Sequence, residues 1–257
     1  MGNRMGGRRQ MQRISSTMAF GTLVAAAMML ASPVRAEITV SMDNGKNIFE
    51  NGKGDVPACL SCHGQNGMGN DALGTPRLAG QVYQFLLKQL TDFATDKRQD
   101  TTMFVMNANA KGLSEQDRKD VAAFLSQLDV PDERSDLKEL AKNGTEVGKP
   151  YLGKEIVGFG DIDRHISGCL SCHGHNGRGA DPIYPQIAGQ KYVYLVNQLN
   201  NWRSASRTND PLAQMRKVAS HLTDDDIHNL AAFLATASLS TPGNPGLPSR
   251  EVPFEEH

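Results

Sequence analysis

The stretch ACLSCHGQNG at residues 58–67 returns as GCLSCHGHNG at residues 168–177, and these two copies hold all four cysteines of the 257-residue chain. Each copy contains Cys-x-x-Cys-His, the attachment signature of a c-type haem. Two thiols one helical turn apart can add to the two vinyl groups of one porphyrin, and the next residue then places its imidazole under the iron. The sequence therefore predicts two covalent haems c. The thioether residues are Cys59, Cys62, Cys169 and Cys172, and the proximal iron ligands are His63 and His173.

Other uses of paired cysteines fit this spacing less well. Zinc-binding pairs usually lie about 15–20 residues apart, whereas Cys59 and Cys169 are far more widely separated in the chain. A thioredoxin-like redox pair would explain one motif but not a histidine directly after both. We therefore favour haem attachment over a zinc site or a redox pair.

The repeat extends beyond the two motifs, which is the mark of a duplicated unit. Residues 74–98 are echoed by residues 183–207, and residues 113–128 by residues 222–237, both at an offset of 109 positions. The identical pairs in the first of these segments are Gly80 and Gly189, Gln81 and Gln190, Tyr83 and Tyr192, Gln89 and Gln198, and Arg98 and Arg207. The chain is thus predicted to contain two similar units with one haem each.

Each unit reads as helical, because apolar residues recur at helical spacing and no alternating strand pattern of any length is visible. Helices are predicted near residues 45–52 and 153–160. The sequences S-x-x-D at Ser114 and T-x-x-D at Thr223 predict the first turn of a final helix in each unit. The expected fold class is all-α.

The sixth iron ligand separates a carrier from a catalyst, because a methionine there closes the site and favours Fe(II). Met215 is the one methionine of the second unit, and the offset of 109 matches it to Met106. Met106 is therefore the preferred ligand in the first unit, with Met103 as an alternative. Met68 follows His63 by only five residues and is disfavoured.

The first 36 residues are typical of a cleaved signal peptide. Arginines without any acidic residue precede an apolar run at residues 18–31, and small residues precede the expected cleavage after Ala36. The run is shorter than the roughly 20 residues that a membrane-spanning helix needs. Residues 37–257 keep 22 of the 27 basic residues and all 28 acidic ones, a net charge of −6. This gives no electrostatic case for binding nucleic acid, and we expect an exported, soluble protein.

The domain boundaries follow from the repeat and from local composition. We assign residues 1–36 to the signal peptide, 37–130 to an N-terminal haem domain, 131–239 to a C-terminal haem domain, and 240–257 to a Pro-rich disordered tail. Histidines without a counterpart in the other unit are expected to be solvated surface residues. They are His165, His175, His221, His228 and His257.

The chain resembles the dihaem cytochrome c4 family. The resemblance covers residues 45–237 and rests on CLSCHG, a following P-x-(L/I)-AGQ, a Tyr-bearing helix, and a methionine loop before an L-(S/T)-x-x-D helix. It implies two tandem class I cytochrome c domains, each wrapped around one covalent haem. It also implies His/Met ligation by His63 with Met106 and by His173 with Met215. By the same resemblance, the carbonyl oxygens of Pro76 and Pro185 accept hydrogen bonds from the proximal imidazoles.

The resemblance implies a periplasmic electron carrier rather than an enzyme, passing single electrons between respiratory donors and a terminal oxidase or similar acceptor. Two alternatives stay open. One is the cytochrome subunit of a periplasmic dehydrogenase that oxidises sulfide or an alcohol, with the long segment 143–168 and the tail as docking elements. The other is a haem enzyme that oxidises a small sulfur compound, against which two well-placed methionines argue.

Overall fold

A computed structural model describes residues 38–239 and 254–256 of the chain, so the predicted signal peptide and most of the tail lie outside the described residues. The helices are α1 (Met42–Asn51), α2 (Leu60–His63), α3 (Tyr83–Ala94), α4 (Met106–Gly112), α5 (Glu115–Gln127), α6 (Leu137–Lys142), α7 (Pro150–Phe159), α8 (Leu170–His173), α9 (Tyr192–Arg203), α10 (Gln214–Ala219) and α11 (Asp224–Thr236). The short strands are β1 (Ile38–Val40), β2 (Gly160–Asp161), β3 (Ile166–Ser167) and β4 (Phe254–Glu256).

The order of the helices shows the duplication directly. Helices α1 to α5 of the first half return as α7 to α11 in the second half, and α6 lies between them without a counterpart. The helices predicted near residues 45–52 and 153–160 are α1 and α7, each beginning three residues earlier than expected.

Each half has its own apolar core. In the first half α1 and α3 pack on α5, and in the second half α7 and α9 pack on α11. The crossing helices approach closely because a glycine lies at each contact: a Cβ on Gly45 would overlap the carbonyl oxygen of Asp120, and one on Gly153 that of Asn229. The repeat therefore preserves both the helices and the packing between them.

A capping box fixes the start of the last helix in each half. The hydroxyl of Ser114 accepts the backbone N–H of Asp117 at 3.1 Å, and the carboxylate of Asp117 accepts the backbone N–H of Ser114 in return. Thr223 and Asp226 form the same pair at the start of α11. The predicted starts of both helices are confirmed, and each box satisfies backbone donors that would otherwise lack a partner.

Two pairs of short strands were not predicted. Strands β2 and β3 form an antiparallel hairpin that leads into the second haem motif. Strand β4 pairs in parallel with β1, with Ile38 opposite Phe254. The sequence predicted a disordered tail, with docking onto a partner or the body of the protein as the alternative; residues 254–256 fit the alternative, because their backbone groups pair with the strand that precedes α1. Residues 240–253 and 257 lie outside the described part.

The two halves meet through polar side chains that bond to the opposite backbone. The side-chain amide of Gln81 donates to the carbonyl oxygen of Gln186 at 2.9 Å and accepts the backbone N–H of Gln186 at 2.7 Å. The guanidinium of Arg77, 1% exposed, donates to the carbonyl oxygens of Ala188 and Gly189. Such buried backbone groups need partners, so these bonds fix the halves against each other.

Candidate haem sites

The two haem motifs adopt the same single-turn helix. Helix α2 begins after Cys59, whose carbonyl oxygen accepts the backbone N–H of His63 at 3.0 Å, and the bond from His173 to Cys169 measures 2.9 Å. One turn therefore separates each first cysteine from its histidine. All four thiols are free of disulfides in the structure. Burial raises the pKa of the Cys59 thiol to about 11, so it stays protonated at neutral pH.

Each histidine of the motifs is buried and oriented by a proline carbonyl. Nδ1 of His63 lies 3.0 Å from the carbonyl oxygen of Pro76, and Nδ1 of His173 lies 2.8 Å from that of Pro185. A carbonyl can only accept, so Nδ1 carries the proton and Nε2 is the nitrogen that can bind iron. Burial lowers the pKa of both imidazoles, and the bonds to the carbonyls only partly oppose this. A neutral imidazole is the form that ligates a metal.

The proposed methionine ligand of the first half lies where a loop turns into α4. Met106 is the first residue of α4, and the carboxylate of Asp100 anchors the loop by accepting backbone N–H groups of Thr102, Val105 and Met106 at 2.9–3.2 Å. Met103 lies in the same loop. Both methionines are half-buried and line the cavity described below, whereas Met68 is buried away from it. The geometry is therefore compatible with either Met106 or Met103 as the sixth iron ligand in the first half.

The corresponding loop of the second half is anchored by a different residue. The carboxylate of Asp210 accepts the backbone N–H of Arg216 at 3.0 Å and its Nε at 2.8 Å. Met215 lies in α10 immediately before Arg216, and it lines the cavity. Residues with positive φ lie just before both methionines, Phe104 at 60° and Ala213 at 56°. These matched turns direct both loops toward the cavity.

One cavity of about 690 Å³ joins the two sites. Its lining includes Cys59, Cys62, His63, Met103 and Met106 from the first half of the chain, and Cys169, Cys172, His173 and Met215 from the second half. The remaining walls are mainly apolar side chains of the helices. Two thiols, one oriented imidazole and a methionine thioether from each half match the donors that hold a haem c. The residues present therefore fit two covalent haems.

The cavity is also lined by buried polar residues to which the sequence analysis gave no role. Gln89, Arg98, Gln198 and Arg207 are all buried there. The only sequence signal was that both pairs recur at the offset of the repeat. Arg98 and Arg207 are charged, buried and present at matched positions of both units, which indicates a role common to the two halves.

The unmatched histidines do not all behave as predicted. His165, His175 and His221 are exposed, and His257 lies outside the described part of the chain. His228 differs, because its side chain is only 19% exposed and its Nδ1 lies 2.8 Å from the hydroxyl of Tyr192. The prediction of a solvated surface residue is wrong for His228, which stacks on the Tyr192 ring instead.

The segment before the second motif exposes apolar side chains. Phe159 ends α7 and is 85% exposed, and Ile162 in the β2–β3 turn is 88% exposed. Arg164 braces this turn through Asp161 and Asp226. Because β3 leads directly into Gly168 and Cys169, the exposed pair lies on the chain segment that immediately precedes the second site.

Comparison with known proteins identifies relatives of the whole described body. The family model described as Cytochrome c matches residues 42–129 and 164–238. The thiosulfate dehydrogenase electron acceptor of Stutzerimonas stutzeri (strain A1501) is 33% identical over 202 residues, which are 78% of this chain and 89% of the relative. Cytochrome c4 of Stutzerimonas stutzeri is 33% identical over 196 residues, 72% of this chain and 87% of the relative.

Two solved structures give the same result at the level of the fold. The thiosulfate dehydrogenase TsdBA from Marichromatium purpuratum matches 79% of this chain with a TM-score of 0.67 at 30% identity, and the chain spans 41% of that longer chain. Reduced recombinant cytochrome c4 from Pseudomonas stutzeri matches 77% of this chain and 98% of its own, with a TM-score of 0.61 at 28% identity. The predicted all-α fold of tandem cytochrome c domains with covalent haem is confirmed. Within the described residues, no helix is long and apolar enough to cross a membrane.

Proposed function

Because the chain belongs to the cytochrome c family and, within it, to the dihaem cytochrome c4 group, we propose that it is a periplasmic electron carrier for a thiosulfate dehydrogenase. It accepts single electrons from the dehydrogenase and delivers them to a respiratory acceptor such as a terminal oxidase. The predicted signal peptide supports export to the periplasm.

The observation that carries this proposal is one cavity whose lining includes equivalent donor sets from the two halves. Bound haem supplies a one-electron Fe(III)/Fe(II) couple. Two such couples in one cavity let an electron enter at one half and leave at the other. The residues that hold the haems are Cys59, Cys62, His63 and Met106 in the first half, and Cys169, Cys172, His173 and Met215 in the second.

The protein's own contribution is to keep each site unchanged while its charge changes by one. The Pro76 and Pro185 carbonyls hold the two imidazoles in one orientation and one tautomer. Most of the cavity lining is apolar, so with haem in place little solvent should have to reorient when an electron moves. A methionine in the sixth position leaves no place for a substrate on the iron, which favours a carrier over a catalyst.

Two observations support a dehydrogenase as the donor. Relatives from Stutzerimonas stutzeri and Thiomonas intermedia, each 33% identical, are named as thiosulfate dehydrogenase electron acceptors. Phe159 and Ile162 also expose apolar side chains on the chain segment that precedes the second haem motif. Transient redox encounters use small interfaces, and two exposed apolar side chains are suited to one.

The test is the reduction of the oxidised dihaem protein by a purified thiosulfate dehydrogenase with thiosulfate, followed in a stopped-flow spectrophotometer. We expect two electrons per chain and no reduction when either the enzyme or thiosulfate is omitted. The variant Ile162→Glu should slow the reaction about tenfold or more without changing either reduction potential. Ala141→Glu adds the same charge at an exposed position outside segment 143–168 and serves as the control.

Other outcomes would identify the competing functions. Reduction by thiosulfate alone, together with binding of carbon monoxide to the reduced protein, would indicate a haem enzyme with an open site. No reduction by the dehydrogenase, but rapid reduction by a respiratory cytochrome c reductase, would indicate a general carrier. That second candidate is favoured by the equally similar cytochrome c4 of Stutzerimonas stutzeri.

A further inference from the structure

Two exposed histidines from separate segments of the second half lie side by side. His165 ends the turn between β2 and β3, and His221 lies in the connection between α10 and α11. Their ring centroids are 5.9 Å apart, and the ring planes meet at 67°, with the edge of one ring toward the face of the other. The first half contains no histidine except His63, so this pair belongs to the second half alone.

The nitrogens of both imidazoles are available to a ligand. The two residues hydrogen-bond through their backbone, His165 to the carbonyl oxygen of Ile162 at 3.2 Å and His221 to that of Val218 at 3.3 Å. Within the part of the chain that the structure describes, the only partner of each imidazole is the other imidazole. Both side chains are exposed, so an ion in solution can reach them.

The backbone on both sides of the pair is held in place. Each histidine is followed by a buried residue of the same apolar core, Ile166 at 3% exposure and Leu222 at 5%. The pairing of β2 with β3 fixes the hairpin that carries His165. His165 has a φ of 58°, a left-handed conformation that few residues other than glycine adopt and in which histidine is enriched. The two imidazoles are therefore presented from fixed positions.

The distance between the rings is compatible with one ion shared by both. A metal ion lies about 2.0–2.1 Å from an imidazole nitrogen. Since a ring nitrogen is about 1.1 Å from the ring centre, two imidazoles on one ion have centroids at most about 6.4 Å apart. The observed separation of 5.9 Å falls inside this limit. Rotation of the two exposed side chains can then direct one nitrogen of each ring at the ion.

The charge around the pair favours a cation. The segments 161–165 and 221–226 together contain five aspartates and one arginine. That arginine, Arg164, is engaged by the carboxylates of Asp161 and Asp226 at 2.6 Å each. A second arginine, outside these segments, pairs with another of the five aspartates. The sum of these charges is still negative, and a negative surface raises the local concentration of cations.

We infer that His165 and His221 together bind one divalent transition-metal ion of the Zn²⁺ and Cu²⁺ class. Imidazole nitrogen is a preferred ligand of these ions, whereas Mg²⁺ and Ca²⁺ prefer oxygen. Within the described residues, no group of three or more histidine, cysteine, aspartate or glutamate side chains is placed to hold a metal. Water therefore completes the coordination, and the ion exchanges with solution.

A bound ion joins two segments that lead to the second haem site. From His165 the chain runs through β3 to Cys169, and His221 follows α10, which contains Met215. An ion held by both histidines fastens these segments to each other. Because the two rings come together only in the folded protein, the ion stabilises the folded state. This inference does not depend on which protein donates electrons, so it can fail without affecting the proposed function.

The experiment is a calorimetric titration of Zn²⁺ into the oxidised dihaem protein, prepared without a histidine tag. Zn²⁺ has no redox chemistry, so it does not exchange electrons with haem. One Zn²⁺ should bind per chain and raise the midpoint temperature of unfolding. His165→Asn and His221→Asn should each weaken binding by about tenfold or more, because one imidazole alone lacks the gain from two linked ligands. Each should also abolish the shift in midpoint temperature.

The variants keep the fold and have a matched control. Asparagine tolerates the left-handed conformation, so His165→Asn preserves the hairpin. His175→Asn removes another exposed histidine of the same half and should leave Zn²⁺ binding unchanged. The proposal is overturned if the parent protein binds no Zn²⁺, or if fewer than both of the first two variants weaken binding. An equal loss in His175→Asn would also overturn it, since the ion would then not be specific to the pair.

Discussion

The side chain of Gln190 forms two hydrogen bonds with the backbone of Arg77, one in each direction. Its Oε1 accepts the backbone N–H of Arg77 at 2.6 Å, and its Nε2 donates to the carbonyl oxygen of Arg77 at 3.0 Å. Gln190 thus pairs with the other half of the protein as a neighbouring strand would. Gln81, its counterpart in the repeat, makes the same two-way contact with Gln186. The duplication therefore supplies both sides of the interface between the halves.

The first prediction concerns the energy of this contact. Gln190→Ala should lower the free energy of unfolding by about 1–3 kcal/mol, because it leaves the buried N–H and C=O of Arg77 without partners. Urea denaturation of the oxidised dihaem protein measures the change. Gln65→Ala, at an exposed position, should stay within about 0.5 kcal/mol of the parent protein. Equal stability of the two variants would show that water satisfies the freed groups.

The second prediction concerns the sixth ligand in the first half. Met106→His should lower one reduction potential by on the order of 0.1 V or more, because axial ligation moves haem potentials over about 0.8 V and methionine raises them. The weak Met–Fe(III) charge-transfer band should fall to half. Met103→Leu should leave both the band and the potentials unchanged. If Met103→Leu halves the band instead, Met103 is the ligand.

Much of the site could be predicted from the sequence because its chemistry is local. Two cysteines and a histidine within five residues define haem attachment, and the short helices α2 and α8 follow from that spacing. Capping at Ser114 and Thr223 is also local, since donor and acceptor lie three residues apart. Comparing the two copies favours Met106 over Met103, but both line the cavity, so this choice stays a prediction.

The parts that could not be predicted depend on residues far apart in the chain. Gln89 bonds to Arg207 across 118 positions, and nothing in the local sequence of either residue indicates a partner. Strand β4 pairs with β1 although the tail is rich in Pro and Gly. His228 was expected in solvent because helical spacing alone did not reveal that Tyr192 lies opposite it. In each case the tertiary fold, rather than local preference, determines the environment.

The third prediction separates the two haem sites covalently. The double variant Cys59→Ser with Cys62→Ser should carry one haem per chain, attached to Cys169 and Cys172, because each half has its own thiols and its own core. Mass spectrometry and the pyridine haemochrome assay count the haem. Ser61→Ala changes an exposed residue between the first two cysteines and should keep two haems. Loss of both haems from the double variant would mean that the halves mature only together.

The fourth prediction is a pH dependence that arises at the start of α5. Burial acts to raise the pKa of Asp117, but hydrogen bonds from Lys53, Asn44 and Ser114 outweigh it and hold the pKa below its ordinary value of 3.8. The unfolded chain therefore binds a proton here at a higher pH than the folded protein does. The stability that the carboxylate contributes is fully present at neutral pH, and it is lost as the pH falls below about 4 toward the folded pKa.

Asp117→Asn should therefore lower the free energy of unfolding by about 1 kcal/mol at pH 7, the usual effect of weakening a helix cap. The free energy of unfolding of this variant should also fall less steeply between pH 7 and pH 3 than that of the parent protein. Urea unfolding at a series of pH values from 7 down to 3 measures both effects. Asp55→Asn removes an exposed carboxylate and should give a curve parallel to that of the parent protein. If Asp117→Asn instead lowers the free energy of unfolding equally at every pH, that result would contradict the prediction, because the acid-induced loss of stability would then come from other carboxylates and not from the cap of α5.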